Sequence, residues 1–271
     1  MTSLRPVIVL LTDFGLADWF VGSMKAAILA RMPDCTIVDL CHAIEPGRVA
    51  QGAWVLGKTF RELPPGAIFC AVVDPGVGGA RRAIVSEADG WLFAAPDNGL
   101  LSGVWRQATA WHCRALTNEA WMAPRRSATF HGRDVFAPAA AVLALEGAIQ
   151  FAGDPLRDPV VIELPSARVR DDGAVEGEIV YFDRFGNALT SIDRAALEAL
   201  GPGGGGAWRV TVGQWTVEGL ARTFADAAPG EGVAYWGSVD ALEIAVRDGN
   251  ARQRFGLTLG QPVRLLPAGR S

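Results

Sequence analysis

The sequence predicts an α/β protein in two parts. A larger N-terminal domain, residues 1–160, is built on a mostly parallel sheet, and a smaller C-terminal β-barrel domain spans residues 161–271. Two observations carry this reading. In the first half, short and almost wholly apolar runs (VIVLL, TIVDL, AIFCAVV) alternate with stretches of helical spacing, as strands buried on both faces and joined by crossover helices do. After a change of composition between residues 153 and 173, short strands recur roughly every 8–15 residues between glycine turns, the pattern of a small barrel or sandwich. With 271 residues, 50% hydrophobic and 20% charged, the chain can bury the cores of both.

Taken in order, residues 7–11 form the first strand, which runs into Thr12-Asp13-Phe14-Gly15. Phe20, Met24 and Ile28 mark a helix from about Asp18 to Met32, ended by Pro33. Residues 36–40 are the second strand, leading to His42 and Pro46, and helical spacing returns over 47–62. The third strand delivers Asp74, after which Pro75, Gly76, Gly78 and Gly79 exclude regular structure until Arg81 and Arg82 open the next strand. AIVSE and WLFAA read as a hairpin around Asp89-Gly90, running into Pro96-Asp97-Asn98-Gly99. Residues 115–129 have weak periodicity and are expected to form a surface segment over the site. Ala137 to Leu145 is an alanine-rich helix that Thr129 or Gly132 would help to open. The short VVIELP run is β-like, with the domain boundary placed between 155 and 172. The barrel strands are EGEIVYFD, ALTSI, WRVTVG, QWTVEG, VAYWG, LEIAVRDG and FGLTLGQPVRLL, with Gly203 to Gly206 as a flexible loop tip.

Composition narrows the function. A net charge of −4 and a pI near 5.5 supply no basic field for a phosphate backbone, so a nucleic-acid partner is not expected. Cys35, Cys41, Cys70 and Cys113 show no CxxC pair and no zinc-ligand spacing. No apolar run approaches the ~18 residues of a membrane span, and no signal peptide is read at the start, so the expected compartment is the cytoplasm.

Chemistry concentrates at strand ends. Asp13, Asp74 and Asp97 follow predicted parallel strands, where ligands of open α/β sheets bind, and a shared ligand site is expected there. The glycine loop is short enough to fold Arg81 back beside Asp74, either as a turn support or as a catalytic pair. His131, one of three histidines, lies in an accessible glycine-flanked turn. With His42 and the three acids it leaves metal-dependent hydrolysis open as an alternative. In the second half, Asp183 and Asn187 flank a glycine turn, and Ser238 with Glu243 forms a further candidate; an Asx-supported β-turn is the plain alternative for the first. No GxGxxG follows the first strand, and neither a P-loop nor a GxSxG elbow is present.

Six motifs in register, LTDFG (11–15), VVDPGVGGARR (72–82), PDNG (96–99), FHGRD (130–134), FDRFGN (182–187) and the stretch from Gly237 to Ala251, resemble one family. It is the S-adenosyl-L-methionine hydroxide adenosyltransferases, relatives of the fluorinase and chlorinase enzymes. The resemblance implies a homotrimer with the nucleoside substrate between the N-terminal domain of one chain and the C-terminal domain of its neighbour. Water or hydroxide would attack ribose C5′ and release adenosine and L-methionine. The family's catalytic triad falls on Asp74, Arg81 and His131, and its ribose-binding acid on Asp13. Asp183 and Ser238 match positions at the methionine end, and Asn187 one near the adenine. Phe14, Asn98 and Glu243 join them as substrate-binding candidates.

No metal or cofactor is expected, because a sulfonium is already a good leaving group. A guanidinium is a donor only, so Arg81 would stabilise hydroxide, with Asp74 orienting it and His131 relaying the proton. In this alignment the halide-using relatives carry Tyr in place of Asp74 and Ser in place of Gly132. A carboxylate facing the nucleophile repels a halide, so hydrolysis is expected over halogenation. A nucleoside-binding module with little turnover is the alternative from another class.

Overall fold

β1 (Val7–Thr12) is buried along almost its whole length, as its unbroken apolar sequence requires. It pairs in parallel with β2 (Thr36–Cys41) on one side and β3 (Ile68–Val72) on the other, and β3 pairs in parallel with β5 (Trp91–Pro96). β4 (Ala83–Ala88) runs antiparallel between β5 and β6 (Trp111–Ala115), giving the order β2-β1-β3-β5-β4-β6. The sheet is therefore mostly parallel, and Asp89-Gly90 turns its one tight hairpin with positive φ at both residues. The computed structural model describes residues 5–198 and 208–267 and divides into two compact units, Met1–Leu164 and Pro165–Ser271.

In the first unit, alternate strand residues bury against helices on the two faces. α1 (Phe20–Leu29) and α4 (Ala137–Glu146) cover one face through Val21, Met24, Ile28 and the alanine-rich side of α4. α2 (Val49–Thr59) covers the other with α3 (Ser102–Gln107), a helix the sequence reading does not contain. These two helices touch backbone to backbone: a Cβ at Gly103 would lie 2.0 Å from the carbonyl oxygen of Ala53. β6 is also absent from the sequence reading, and the expected helix over 47–62 ends as one 3₁₀ turn, Phe60–Glu62.

Three further expectations change. VVIELP forms no strand, because the N–H groups of Val160 and Ile162 donate to the side chains of Asp97 and Ser102 instead of to a neighbouring strand. Residues 115–129 are not wholly superficial: Leu116 and Trp121 sit in the core, between and beside exposed residues such as Thr117, Glu119 and Arg125. Neither Thr129 nor Gly132 caps α4. A π-helical turn, Gly132–Phe136, runs directly into it from His131.

The second unit is one antiparallel, nearly closed barrel. Its strands are β7 (Arg168–Val169), β8 (Val175–Phe182), β9 (Ala188–Asp193), β10 (Trp208–Val212), β11 (Trp215–Glu218), β12 (Gly232–Trp236), β13 (Ala241–Val246) and β14 (Pro262–Pro267). They are ordered β11-β10-β14-β8-β9-β13-β12, with β7 on β8. The two ends of that order meet where Trp215 packs over Gly232. Short helices α5 (Arg194–Glu198) and α6 (Ala251–Arg254) complete it, and α6 with the turn after it replaces the strand expected from Phe255. The expected loop tip at Gly203 to Gly206 lies outside the described residues.

Candidate active site

β1, β3 and β5 lie side by side and end in Asp13, Asp74 and Asp97, so the three acids share the carboxyl edge of the sheet. Each is committed to a different partner. Asp13 accepts the N–H of Gly47 at 2.8 Å. Asp97 accepts Arg82 Nε and the N–H of Val160, both at 2.7 Å. Asp74 is gripped by Arg81, whose Nε lies 3.0 Å from both carboxylate oxygens and whose Nη2 also donates to Oδ2. The three acids thus share an edge of the sheet but no hydrogen-bond partner. His42 is buried between the Thr12 hydroxyl and Asp39, and among the described residues no three His, Cys, Asp or Glu side chains are placed to hold a metal ion.

The Asp74–Arg81 pair is nearly enclosed, with side chains 3% and 12% exposed, and the guanidinium lies over the Phe136 ring at 5.2 Å. The loop between them depends on Gly78, which has φ +76° and whose Cβ would meet the Ala128 carbonyl oxygen at 2.3 Å. From the π-turn, His131 completes the group: its Nδ1 lies 2.7 Å from Arg81 Nη2. A guanidinium can only donate, so Nδ1 accepts, and in the neutral ring the proton sits on Nε2. Burial, then the charge of Arg81, hold the His131 pKa below its ordinary value, which keeps the ring neutral. Arg81, His131, Met122, Arg126, Ser127 and Ala128 line a cleft of about 290 Å³.

The other N-terminal candidates surround this group. Gly47, which holds Asp13, packs against Pro75 beside Asp74. The ring of Phe14 would stand 3.2 Å from a Cβ at Gly132, as would the Met24 sulfur, and it packs edge-on to Phe130. The Asn98 amide donates to the Val73 carbonyl at 2.9 Å, and its oxygen accepts the N–H of Leu100, so both ends of that side chain serve the strand-end turns. Asp134, which the sequence reading passes over, ties the cleft wall to the π-turn by accepting the Ser127 N–H and the Arg133 fork; the hydrogen bond from Arg133 is the first cause of its lowered pKa.

The remaining candidates form a second group within the barrel unit. Asp183 accepts the N–H groups of Phe185 and Asn187 and the Asn187 amide, which is the Asx-supported turn read as its plain alternative. Glu243 is buried, and burial pushes its pKa up; Tyr235, hydrogen-bonded to it, acts in the opposite direction and Asp183 in the same one. Its carboxylate occupies the place of a Cβ at Gly237, with Oε1 only 1.8 Å from that position, next to exposed Ser238. Tyr235 is missed by the sequence reading, although its place before the Trp236-Gly237-Ser238 candidate was a usable signal.

Comparison with known proteins places both units. The model of the SAM hydroxide adenosyltransferase N-terminal domain matches residues 8–153, and that of the C-terminal domain residues 177–264. The chain is 42% identical over 271 residues to an (R)-S-adenosyl-L-methionine hydrolase of Thermus thermophilus, covering 97% of this chain and 100% of the relative. It is 39% identical to one from Salinispora arenicola, at 96% and 97% coverage. A fluorinase of Actinopolyspora mzabensis is more distant, 28% identical over 290 residues, covering 96% and 97%. Among solved structures, an uncharacterized conserved protein from Thermotoga maritima superimposes with a TM-score of 0.89 at 34% identity, covering 96% of this chain and 99% of that one. With both domain models matched in order along most of its length, the chain belongs to the SAM hydroxide adenosyltransferase family.

Proposed function

We propose that this protein hydrolyses S-adenosyl-L-methionine to adenosine and L-methionine, with Asp74, Arg81 and His131 acting on the nucleophile. The observation that carries the assignment is the part-buried Asp74–Arg81–His131 chain at the carboxyl edge of the sheet. A water oxygen bonds to ribose C5′ while the C5′–S bond breaks, the electron pair of that bond passing to sulfur to leave the neutral thioether of methionine; the water's second proton goes to solvent, either before attack, leaving hydroxide, or after it. Arg81 spends Nε and Nη2 on Asp74 and His131; Nη1, unengaged among the described residues, is the donor for the oxygen nucleophile. Because Nδ1 of His131 is already occupied, the ring accepts a proton there only by giving up Arg81. His131 is therefore better suited to holding the guanidinium's direction than to the proton relay expected of it. Hydroxide and sulfonium neutralise each other, so a site that excludes water favours the reaction.

Asp13 and Phe14 on the first strand-end turn serve the ribose side, with Asn98 supporting the Asp74 turn. In the barrel unit, Asp183, Ser238 and Glu243 serve the methionine end and Asn187 the adenine. The site is assembled in a homotrimer, between subunits; exposed Leu16, Trp19 and Val77 in the strand-end loops support burial against another copy. The four free cysteines suit a reducing compartment such as the cytoplasm, no helix among the described residues is long and apolar enough to cross a membrane, and the acidic net charge argues against a nucleic-acid partner.

Incubation with S-adenosyl-L-methionine in ¹⁸O-water, with chelator present, is expected to yield methionine and adenosine carrying the label at O5′. Asp74→Asn, which keeps the side-chain shape, is expected to lower kcat by about 10² or more. Failure to form adenosine with folded protein, or label absent from O5′, refutes the assignment.

A further inference from the structure

Arg81 and Arg82 are consecutive residues at the entrance to β4, and consecutive side chains of an extended chain point to opposite sides. Arg81 faces Asp74 and His131. Arg82 reaches the other way: Nε donates to Asp97 Oδ2 at 2.7 Å, Nη1 to Asp158 Oδ1 at 3.1 Å, and Nη2 to the Asp158 carbonyl at 2.7 Å. Asp97 also holds residue 82 through the main chain, its N–H donating to the Arg82 carbonyl at 2.9 Å. Asp97 is itself fixed: it is 4% exposed, it directly follows β5, and its second oxygen takes the Val160 N–H.

The loop on the other side of Arg81 is held by packing, Pro75 against Gly47 and Gly78 against the Ala128 carbonyl, and not by a hydrogen-bonded ion pair such as that of Arg82. Residues 75–80 are all exposed, and the main-chain bonds there, Val77 N–H to Asp74 and Gly79 N–H to Gly76, close only local turns. The ion-paired anchor of the backbone that carries Arg81 therefore lies on its C-terminal side, at residue 82.

We propose that the Arg82–Asp97 pair is a positioning device for Arg81, setting the direction of its guanidinium toward the nucleophile. This rests on the reading that Arg81 acts in the hydrolysis. Arg82 touches neither Asp74 nor His131, so its influence passes through the backbone it shares with Arg81. The required sensitivity is ordinary: a displacement of about 1 Å at a reacting group costs on the order of 10² in rate.

The test compares kcat, KM and melting temperature for wild type, Arg81→Ala, Arg82→Gln and the Arg81→Ala/Arg82→Gln double variant. Arg82→Gln is expected to lower kcat about 10- to 100-fold with KM little changed. In the Arg81→Ala background the same substitution is expected to cause no further loss, because the group it positions is gone. A merely structural role would lower kcat by the same factor in both backgrounds, and that result, like a wild-type kcat for Arg82→Gln, overturns the proposal. If Arg81→Ala alone turns over normally, the functional reading of Arg81 fails, and this inference with it. Should Arg82→Gln not fold, Arg82→Lys carries the same comparison: it keeps the charge but loses the fork that spans Asp97 and Asp158.

Discussion

At the scale of single residues, the bond from Arg81 to His131 Nδ1 links catalysis to pH. Protonating Nδ1 would set a donor against a donor and push the guanidinium out of line. Burial and the Arg81 charge lower the folded-state pKa, whereas the unfolded chain keeps the ordinary value of about 6.5. As pH falls below that value the unfolded state takes up the proton first, so stability is lost until the folded-state pKa is passed. The wild-type protein is therefore expected to lose denaturant resistance between pH 7.5 and 5 to a greater extent than His131→Asn, whose amide oxygen can still accept from Arg81. The acid limb of kcat should lie below pH 6.5 in the wild type and disappear in the variant. Equal pH slopes for the two proteins, in stability and in kcat, would refute the role given to this bond.

At the scale of elements, the loop between β3 and β4 does two things that glycine allows: it turns with φ positive and it lets the Ala128 carbonyl approach. Gly78→Ala puts a Cβ against backbone that forms the cleft wall. Gly66→Ala, at φ +84° with no atom within 4 Å of the added Cβ, incurs the conformational strain alone. Gly66→Ala should lose stability by about 1–2 kcal/mol and Gly78→Ala by more, and only Gly78→Ala should also lower kcat, by about tenfold or more. Matching kcat values would show that the contact with Ala128 has no part in shaping the site. Elements with a strong local signature were legible in the sequence. VIVLL and AIFCAVV carry nothing but apolar residues, and Asp89-Gly90 marks its hairpin. α3 left no such trace: six residues hold less than two turns, and its burial depends on glycine contact with α2. VVIELP misled because β-branched residues suit a strand, while its donors had side-chain acceptors waiting just after β5 and at the start of α3. Asp74 and Arg81 could be paired from the loop that joins them. His131, 50 residues from Arg81, came into the site through the family resemblance, and the contacts of Arg82 with Asp97 and Asp158 are long-range in sequence and had no local sign.

At the scale of the whole molecule, the candidate residues fall into two sets, one at the sheet edge of the first unit and one around the Asp183 turn of the barrel. In the proposed reading one substrate draws on both, and the proposed trimer supplies them from neighbouring copies. Large apolar side chains beside the first set fit that arrangement: Leu16 and Trp19 are 71% and 70% exposed in the turn that follows Asp13. Replacing so exposed a tryptophan in a monomer changes stability little, whereas in an interface it removes one of the larger sources of buried apolar area. The wild-type protein is expected to sediment at three times the 28.7 kDa of one chain. Trp19→Asp should dissociate at low micromolar concentration with its circular dichroism unchanged, and its specific activity should rise with protein concentration as copies reassociate. A wild-type protein that is fully active as a monomer would refute the shared site. A Trp19→Asp protein that stays trimeric would instead place the interface elsewhere on the surface, and Phe185, 72% exposed beside Asp183, would be the next side chain to replace.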